Sequence, residues 1–291
     1  MSILLSEKSR ILIQGITGAT GRAYAERMIA NGTPLVGGIT PGKAGQTVAG
    51  VPVFDTAAAA VAATGADCVL SSVRNSAALD AVCEVVEAGA RLIVLYTENV
   101  PVHDAMKMVA YARAKGCFLM GPNSAGIISP GKANLADITD SRTRPGRIGI
   151  VSKSGTLTYE VMDSLHAFGF GESSVACLGG DPVVGTTYAD ILPLYDADPD
   201  TDAIVLVGEP GGSMEYRAAE IVRTLGKPVF AYITGQYAPA EKRMGHAGAV
   251  SGAGDTTAMA KMKALADAGA IVVPVVTAVG ETVARHLAEA A

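Results

Sequence analysis

The feature that most constrains this chain is a regular alternation of short apolar runs with alanine-rich stretches of helical period. In the first half Ile11 to Gln14, Leu35 to Ile39, Cys68 to Ser71, Leu92 to Leu95 and Cys117 to Met120 read as strands. Helices are expected near 21–31, 56–64, 76–88 and 102–115. Unbroken apolar runs bounded by Gly, Asn or Asp suit strands buried on both faces of a parallel sheet, and right-handed crossovers then wind helices onto both sides. The first half therefore reads as a Rossmann-like α/β unit. The pattern resumes with strands at Ile148 to Val151, Ser174 to Leu178, Ala203 to Val207, Val229 to Ile233 and Ile271 to Val273. Helices near 155–168, 186–196, 214–225, 255–268 and 278–289 separate and follow them, giving a flavodoxin-like parallel α/β unit.

A chain of 291 residues is long enough for two cores. Between the two alternations Ser129 to Pro145 is polar, rich in Pro, Gly and charge, and without period. The expected organisation is 1–128 as a first domain, 129–145 as a linker and 146–291 as a second domain. The segment Thr234 to Gly254 is a long loop with no pattern of its own, the kind that usually carries function. Net charge is −5 and no long basic run occurs, which argues against a nucleic-acid partner. Apolar stretches fall short of the ~20 residues that span a bilayer, and MSILLSEKSR lacks a signal-peptide core, so no membrane role and a cytoplasmic location are expected. Cys68, Cys83, Cys117 and Cys177 are widely spaced beside apolar segments and read as buried, reduced thiols.

The chemistry is carried by turns. After the first strand, Gly15-Ile16-Thr17-Gly18-Ala19-Thr20-Gly21 opens a helix, and backbone amides at such a turn hold phosphate with help from the helix dipole. The second strand runs out into Gly38-Ile39-Thr40-Pro41-Gly42-Lys43, where an NAD site would place an acid. Lys43 suits a phosphorylated ribose such as that of coenzyme A or NADP; a solvated surface lysine is the alternative. Tyr96, Thr97 and Glu98 end the fourth strand, and Gly121-Pro122-Asn123-Ser124-Ala125-Gly126 follows the fifth, where Asn123 and Ser124 either meet a ligand or cap a short helix. In the second half Ser152-Lys153-Ser154-Gly155-Thr156 joins strand to helix, so that Ser154, Gly155 and Thr156 form a second anion cradle. It lacks the order of a Walker A loop, and ATP binding by this chain alone is not expected. His246, between Gly245 and Gly248 in the long loop, is sterically open, and Glu209 in Gly208-Glu209-Pro210-Gly211-Gly212 is its natural partner. A carboxylate on one imidazole nitrogen fixes the tautomer and leaves the other nucleophilic. His103, His166 and His286 read as surface or packed residues, and no metal site is expected.

Taken in order, QGITGATG, VGGITPGK, GPNSAGIISPGK, IVSKSGTLTYE, LGGDPVVG, VGEPGG and RMGHAGA resemble the α subunit of succinyl-CoA synthetase over essentially the whole chain. The resemblance implies an acid-CoA ligase in which Thr17, Gly18, Ala19 and Thr20, with Lys43 and Tyr96 to Glu98, bind coenzyme A. It implies that Tyr159 lines the carboxylate pocket, that His246 is transiently phosphorylated and that Glu209 orients it. ATP or GTP, with Mg, would be held by a separate ATP-grasp β subunit in an αβ heterodimer or heterotetramer. The reaction would run reversibly through an acyl phosphate, with the Ser154-Gly155-Thr156 helix start cradling the phosphoryl group.

Some positions depart from the succinate-specific pattern: Ser124-Ala125 stands for Cys-Pro, Lys153 for Arg, Pro210 for Ile, and Ser71 to Ser76 for a proline-rich turn. The GPN-x-AGIISPGK form is closer to malate-CoA ligase α subunits. Succinate or malate is the expected small carboxylate, with another acid, even a sulfonated one, as an alternative. Two readings from other classes are an NADP-dependent Rossmann oxidoreductase, in which the RMGHAGA loop would have no task, and a non-catalytic CoA-binding regulator, which would not need His246 or Glu209.

Overall fold

The computed structural model describes residues 2–238, 244–250, 252 and 254–289. The first half runs β1 (Ile11–Gln14), α1 (Ala19–Ala30), β2 (Leu35–Ile39), β3 (Thr47–Val48), β4 (Val51–Phe54), α2 (Ala57–Thr64), β5 (Cys68–Ser71), α3 (Ala78–Glu87), β6 (Leu92–Leu95), α4 (Val102–Ala114) and β7 (Phe118–Met120). Every residue of β1, β5 and β6 is buried, which is why these runs are unbroken rather than alternating. They form a sheet of order β3-β4-β2-β1-β5-β6-β7 in which the β3–β4 pair is antiparallel and the other pairs are parallel.

The second half comprises β8 (Gly126–Ser129), β9 (Ala133–Ala136), β10 (Pro145–Ser152), α5 (Gly155–Ala167), β11 (Glu172–Cys177), α6 (Tyr188–Ala197), β12 (Ala203–Gly208), α7 (Met214–Val222), β13 (Val229–Ile233), α8 (Ala258–Asp267), β14 (Ile271–Val272) and α9 (Val279–Glu289). Its sheet order is β14-β13-β12-β10-β11-β8-β9. The core of this sheet is parallel, but β8 and β9 add an antiparallel hairpin at one edge, so the unit is mixed rather than wholly parallel.

That hairpin also corrects the expected linker. Ser129 ends β8, Pro130 to Lys132 form the turn with Gly131 at φ +74°, and β9 follows, so much of 129–145 belongs to the second sheet. The Pro-Gly-Lys composition that suggested a linker is the composition of a hairpin turn. Asn134 of β9 is buried and fastens the chain beyond it, its side-chain amide donating to the Ile138 carbonyl at 2.8 Å and to Asp140 at 2.7 Å.

Ile11, Ile13, Leu70 and Val94 of the first sheet belong to the same apolar cluster as Ile127, Leu135, Val151 and Leu206 of the second. Each fully buried aliphatic side chain contributes about 1.5–3 kcal/mol over leaving it exposed. Large aromatics are few but well used. Tyr188 and Tyr195 of α6 are fully buried, and their hydroxyls donate to the Val207 and Ile150 carbonyls at 2.7 and 2.8 Å, which ties the helix to β12 and β10. The four cysteines are free. Burial pushes the thiols of Cys68, Cys117 and Cys177 up to about 12, while Cys83 differs from the expectation in being only half-buried.

Candidate functional site

In each sheet the strand order reverses beside the first parallel strand: β1 lies between β2 and β5, and β10 lies between β12 and β11. Open α/β sheets bind ligands outside the carboxyl ends of the strands at such a point. Here both sheets contribute to one cavity of ≈ 690 Å³. Its wall combines Thr20 at the start of α1, residues 72–75 after β5, 96–99 after β6 and 123–125 after β7 with Asp137, residues 153–156 between β10 and α5, and His246.

The glycine turn has the form that the sequence demanded. Gly15 has φ +84°, and a Cβ on Gly21 would stand 2.3 Å from the Gly15 carbonyl oxygen, so a side chain at either place would break the turn. Gly18 caps α1 without a side-chain hydrogen bond, which leaves the first amides of the helix as unused donors. Thr17 is half-buried with its hydroxyl 3.2 Å from that of Thr40, while Gly18, Ala19 and Thr20 are exposed. A second, apolar hollow of ≈ 400 Å³ beside Gly15, Thr40 and Pro41 adjoins the main cavity at Val73, which lines both. Lys43 is exposed nearby; its backbone amide donates to Asp55 at 2.8 Å, and its ammonium forms no ion pair among the described residues.

Across the turn, the Thr97 hydroxyl donates to the Val73 carbonyl at 2.6 Å, and Tyr96 and Glu98 are exposed in the cavity wall. Asn123 has φ +57°, and its backbone joins the two halves: its amide donates to the Thr97 carbonyl at 2.8 Å and its carbonyl accepts from Gly180 at 3.0 Å. Ser124 lies in the wall, but its hydroxyl donates to the Cys177 carbonyl at 2.5 Å and accepts from the Gly126 amide at 2.9 Å. No helix follows it; β8 does, so the helix-cap alternative is set aside and the serine bridges β11 to the start of β8. Tyr159 sits further along α5, outside the residues lining the cavity, with its hydroxyl accepting from the Thr139 amide at 2.9 Å and Arg142 over its ring.

Ser154, Gly155 and Thr156 all line the cavity. The Ser154 hydroxyl is the N-cap of α5, accepting from the Leu157 amide at 3.2 Å, and Thr156 is exposed. The start of α5, the positive end of its dipole, therefore lies in the cavity wall.

His246 closes the wall. Its Nδ1 is 2.7 Å from Glu209 Oε2, and Nε2 forms no hydrogen bond among the described residues. The side chain of His246 is 28% exposed and that of Glu209 only 5%. The other Glu209 oxygen, Oε1, is 2.7 Å from the ammonium of Lys153, itself 7% exposed. Burial by itself would raise the Glu209 carboxyl, but the hydrogen bond with His246 and the charge of Lys153 outweigh it and hold the group below the usual carboxylate range. An ionised Glu209 accepts a hydrogen bond from Nδ1–H, and in that tautomer the Nε2 lone pair is free as a nucleophile. Lys242 and Arg243 of the same motif lie outside the described residues. Of the other histidines, His166 is 2.7 Å from the buried Glu172, His286 packs edge-on to Phe230 and His103 is exposed, as expected for structural and surface residues.

Two residues had not been singled out by their chemistry. A Cβ on Gly180 would stand 2.7 Å from the His246 ring, so the imidazole sits directly on this glycine; its place in LGGDPVVG was the available signal. Lys261 of α8 is fully buried and donates to the Glu209 and Gly211 carbonyls and to Glu215, bracing the loop that carries Glu209. Burial pulls its ammonium below the ordinary value, against the opposing pull of Glu215. A lysine on the apolar side of a helix gave no hint of that role. Among the described residues no helix is long and apolar enough to cross a membrane.

Residues 6–99 match the CoA binding domain family and residues 151–271 the CoA-ligase family, which makes this a CoA-ligase chain with a CoA binding domain ahead of the ligase unit. It is 45% identical over 287 residues, 99% of each chain, to subunit alpha 1 of the succinate–CoA ligase (ADP-forming) of Archaeoglobus fulgidus. It is 43% identical over 296 residues, 100% of each chain, to the malate–CoA ligase subunit alpha of Methylorubrum extorquens. The chain belongs to the succinate–CoA ligase α-subunit family. Among solved structures, ATP citrate lyase from Methanothrix soehngenii in complex with citrate and coenzyme A superposes with a TM-score of 0.88 at 26% identity over 96% of this chain. This chain spans 49% of the length of that protein.

Proposed function

We propose that the chain is the α subunit of a nucleoside-triphosphate-dependent acid–CoA ligase that forms an acyl-CoA from a short carboxylate, reversibly, with succinate as the acid. The observation that carries this reading is His246, held by Glu209 through Nδ1 and with Nε2 unbonded among the described residues, in the wall of the cavity that also contains the glycine-turn helix start and the start of α5. In the forward direction Nε2 takes the terminal phosphoryl group of ATP or GTP, forming a P–N bond as the nucleoside diphosphate leaves. A carboxylate oxygen then attacks phosphorus, the P–N bond breaks and an acyl phosphate forms. Attack of the CoA thiolate on its carbonyl expels inorganic phosphate. Glu209 keeps the proton on Nδ1 throughout, and the first-turn amides of α5 face the transferring oxygens.

The amides of α1, with Thr17 to Thr20, Lys43 and the Tyr96 to Glu98 segment, are the proposed coenzyme A contacts. The side-chain amide of Asn123, which forms no hydrogen bond among the described residues, is the proposed contact for the acid; the Ser124 hydroxyl is already occupied, and the Tyr159 hydroxyl holds the Thr139 amide outside the cavity wall. The nucleotide, with Mg, is assigned to an ATP-grasp β subunit, a reading supported by the relatives' names as alpha subunits. Malate is the second reading for the acid, favoured by the full-length match to a malate–CoA ligase subunit.

The test is phosphoryl labelling of the co-expressed complex. With labelled ATP and Mg²⁺ the label is expected on this chain in an acid-labile, base-stable form, and CoA plus the correct acid discharge it. His246→Ala abolishes both labelling and acyl-CoA formation while CoA binding persists. Acid-stable label, or label that survives in His246→Ala, would overturn the phosphohistidine mechanism.

A further inference from the structure

We propose that Lys153 is a positioning residue of the histidine site: its buried ammonium, 2.7 Å from Glu209 Oε1, clamps the carboxylate so that Oε2 meets His246 Nδ1 and Nε2 stays bare toward the cavity. The role in phosphoryl transfer rests on the ligase reading; the clamp itself does not.

Lys153 follows β10, Glu209 follows β12 and His246 is on the loop between β13 and α8, so three segments meet in one line of charge. A lysine only 7% exposed is costly to bury without a partner, and the ion-pair partner it has among the described residues is the carboxylate that also holds the imidazole. The order Lys153–Glu209–His246 has two effects. The cation keeps a carboxylate ionised at a depth where burial opposes ionisation. It also draws on the same carboxylate from the far side, which keeps the shared proton on Nδ1 rather than letting it pass to Glu209.

Among the described residues the other charged groups around the line leave this task to Lys153. Lys261 and Glu215 are fully buried and paired with each other, and Lys261 reaches the Glu209 backbone carbonyl rather than the carboxylate. The Tyr188 hydroxyl donates to the Val207 carbonyl and burial holds it protonated. Asp181, on the turn beneath Gly248, accepts from the Val100 amide. On the open side Asp137 is engaged by Tyr24 and Arg27, and Arg74 and Glu98 are exposed in the cavity wall, where water screens them.

Lys153→Gln keeps a hydrogen-bonding side chain and removes the charge, Lys153→Met removes both, and Lys153→Arg keeps the charge. Each is measured as the co-expressed complex for turnover against pH, and as the full chain by ¹⁵N NMR of the His246 ring, assigned with His246→Gln. The wild-type ring is expected to show protonated Nδ1 and bare Nε2 over the pH range of activity. In Lys153→Gln and Lys153→Met the pH at which that pattern is lost, and the acid limb of kcat, should both move up by about one unit or more. Lys153→Arg should restore both. Folding of each variant is read from its melting curve; Lys153→Gln and Lys153→Met report independently.

An acid limb and ring pattern unmoved in either folded uncharged variant would overturn the proposal, as would failure of Lys153→Arg to restore them. Should the ring pattern shift as expected while wild type forms no acyl-CoA from any small acid, the clamp is supported and the ligase reading falls.

Discussion

Ser124 and His246 line the same cavity, yet their side chains are committed in opposite ways. The Ser124 hydroxyl donates to one buried backbone group and accepts from another, whereas His246 keeps a ring nitrogen without a partner among the described residues. Ser124→Ala should therefore act on stability: a buried carbonyl and a buried amide lose their partner, at a cost of about 1–3 kcal/mol. Urea unfolding measures that loss, and the Michaelis constants for acid and CoA should stay close to wild type. A large rise in either constant with no loss of stability would return the hydroxyl to the ligand. Spacing in GPNSAG could not reveal this, because the acceptor at Cys177 is 53 residues away.

At the scale of elements, α8 shows how a helix remote from the cavity sets the site. Lys261 shares the buried face of α8 with Ala258, Met262 and Leu265, and from there it holds the carbonyls of Glu209 and Gly211 together with Glu215 of α7. Lys261→Met leaves the Glu215 carboxylate buried without its cation, which typically costs about 3–5 kcal/mol. The double variant Lys261→Met with Glu215→Leu should recover most of that, since apolar replacement of a whole buried pair is often neutral. Equal instability of single and double variants in denaturant would show that the carbonyl bonds of Lys261, not the charge pair, hold the loop. The same scale shows what the sequence made legible. Buried parallel strands such as β1, β5 and β6 are local signals, as is the glycine turn before α1, and both stand where the pattern put them. The β8–β9 hairpin is built from two four-residue strands placed by pairing, β8 on β11 and β9 on β8, and the two-residue β3 gains its identity only from β4. The Glu209–His246 pairing was inferable from chemistry, but the contact of Gly180 with the ring depends on how residues 178–187 lie along β7.

For the whole molecule, the site depends on two sheets sharing one apolar cluster and one cavity, so stability and function respond together to pH. Asp67 and Glu209, one in each half, both titrate below their ordinary values of 3.8 and 4.5. Burial opposes this in each; the Arg10 amide and the Arg91 guanidinium overcome it for Asp67, and His246 and Lys153 for Glu209. A depressed carboxyl value means that the unfolded chain binds more protons as pH falls through the ordinary value. The stabilisation is therefore complete above about 4.5 and is lost progressively as pH drops through the folded-state values. Glu172 works in the opposite sense: burial raises it despite the His166 contact, so its contribution declines as pH rises from 4.5 through its folded value. Melting temperatures recorded from pH 3 to 7 should thus fall on the acid side in wild type. Glu209→Gln, which keeps the shape and removes the titration, should be less stable at neutral pH and decline less steeply below pH 4.5. An acid decline as steep as that of wild type would mean that ionisation of Glu209 beside Lys153 and His246 contributes nothing to the stability of the folded state.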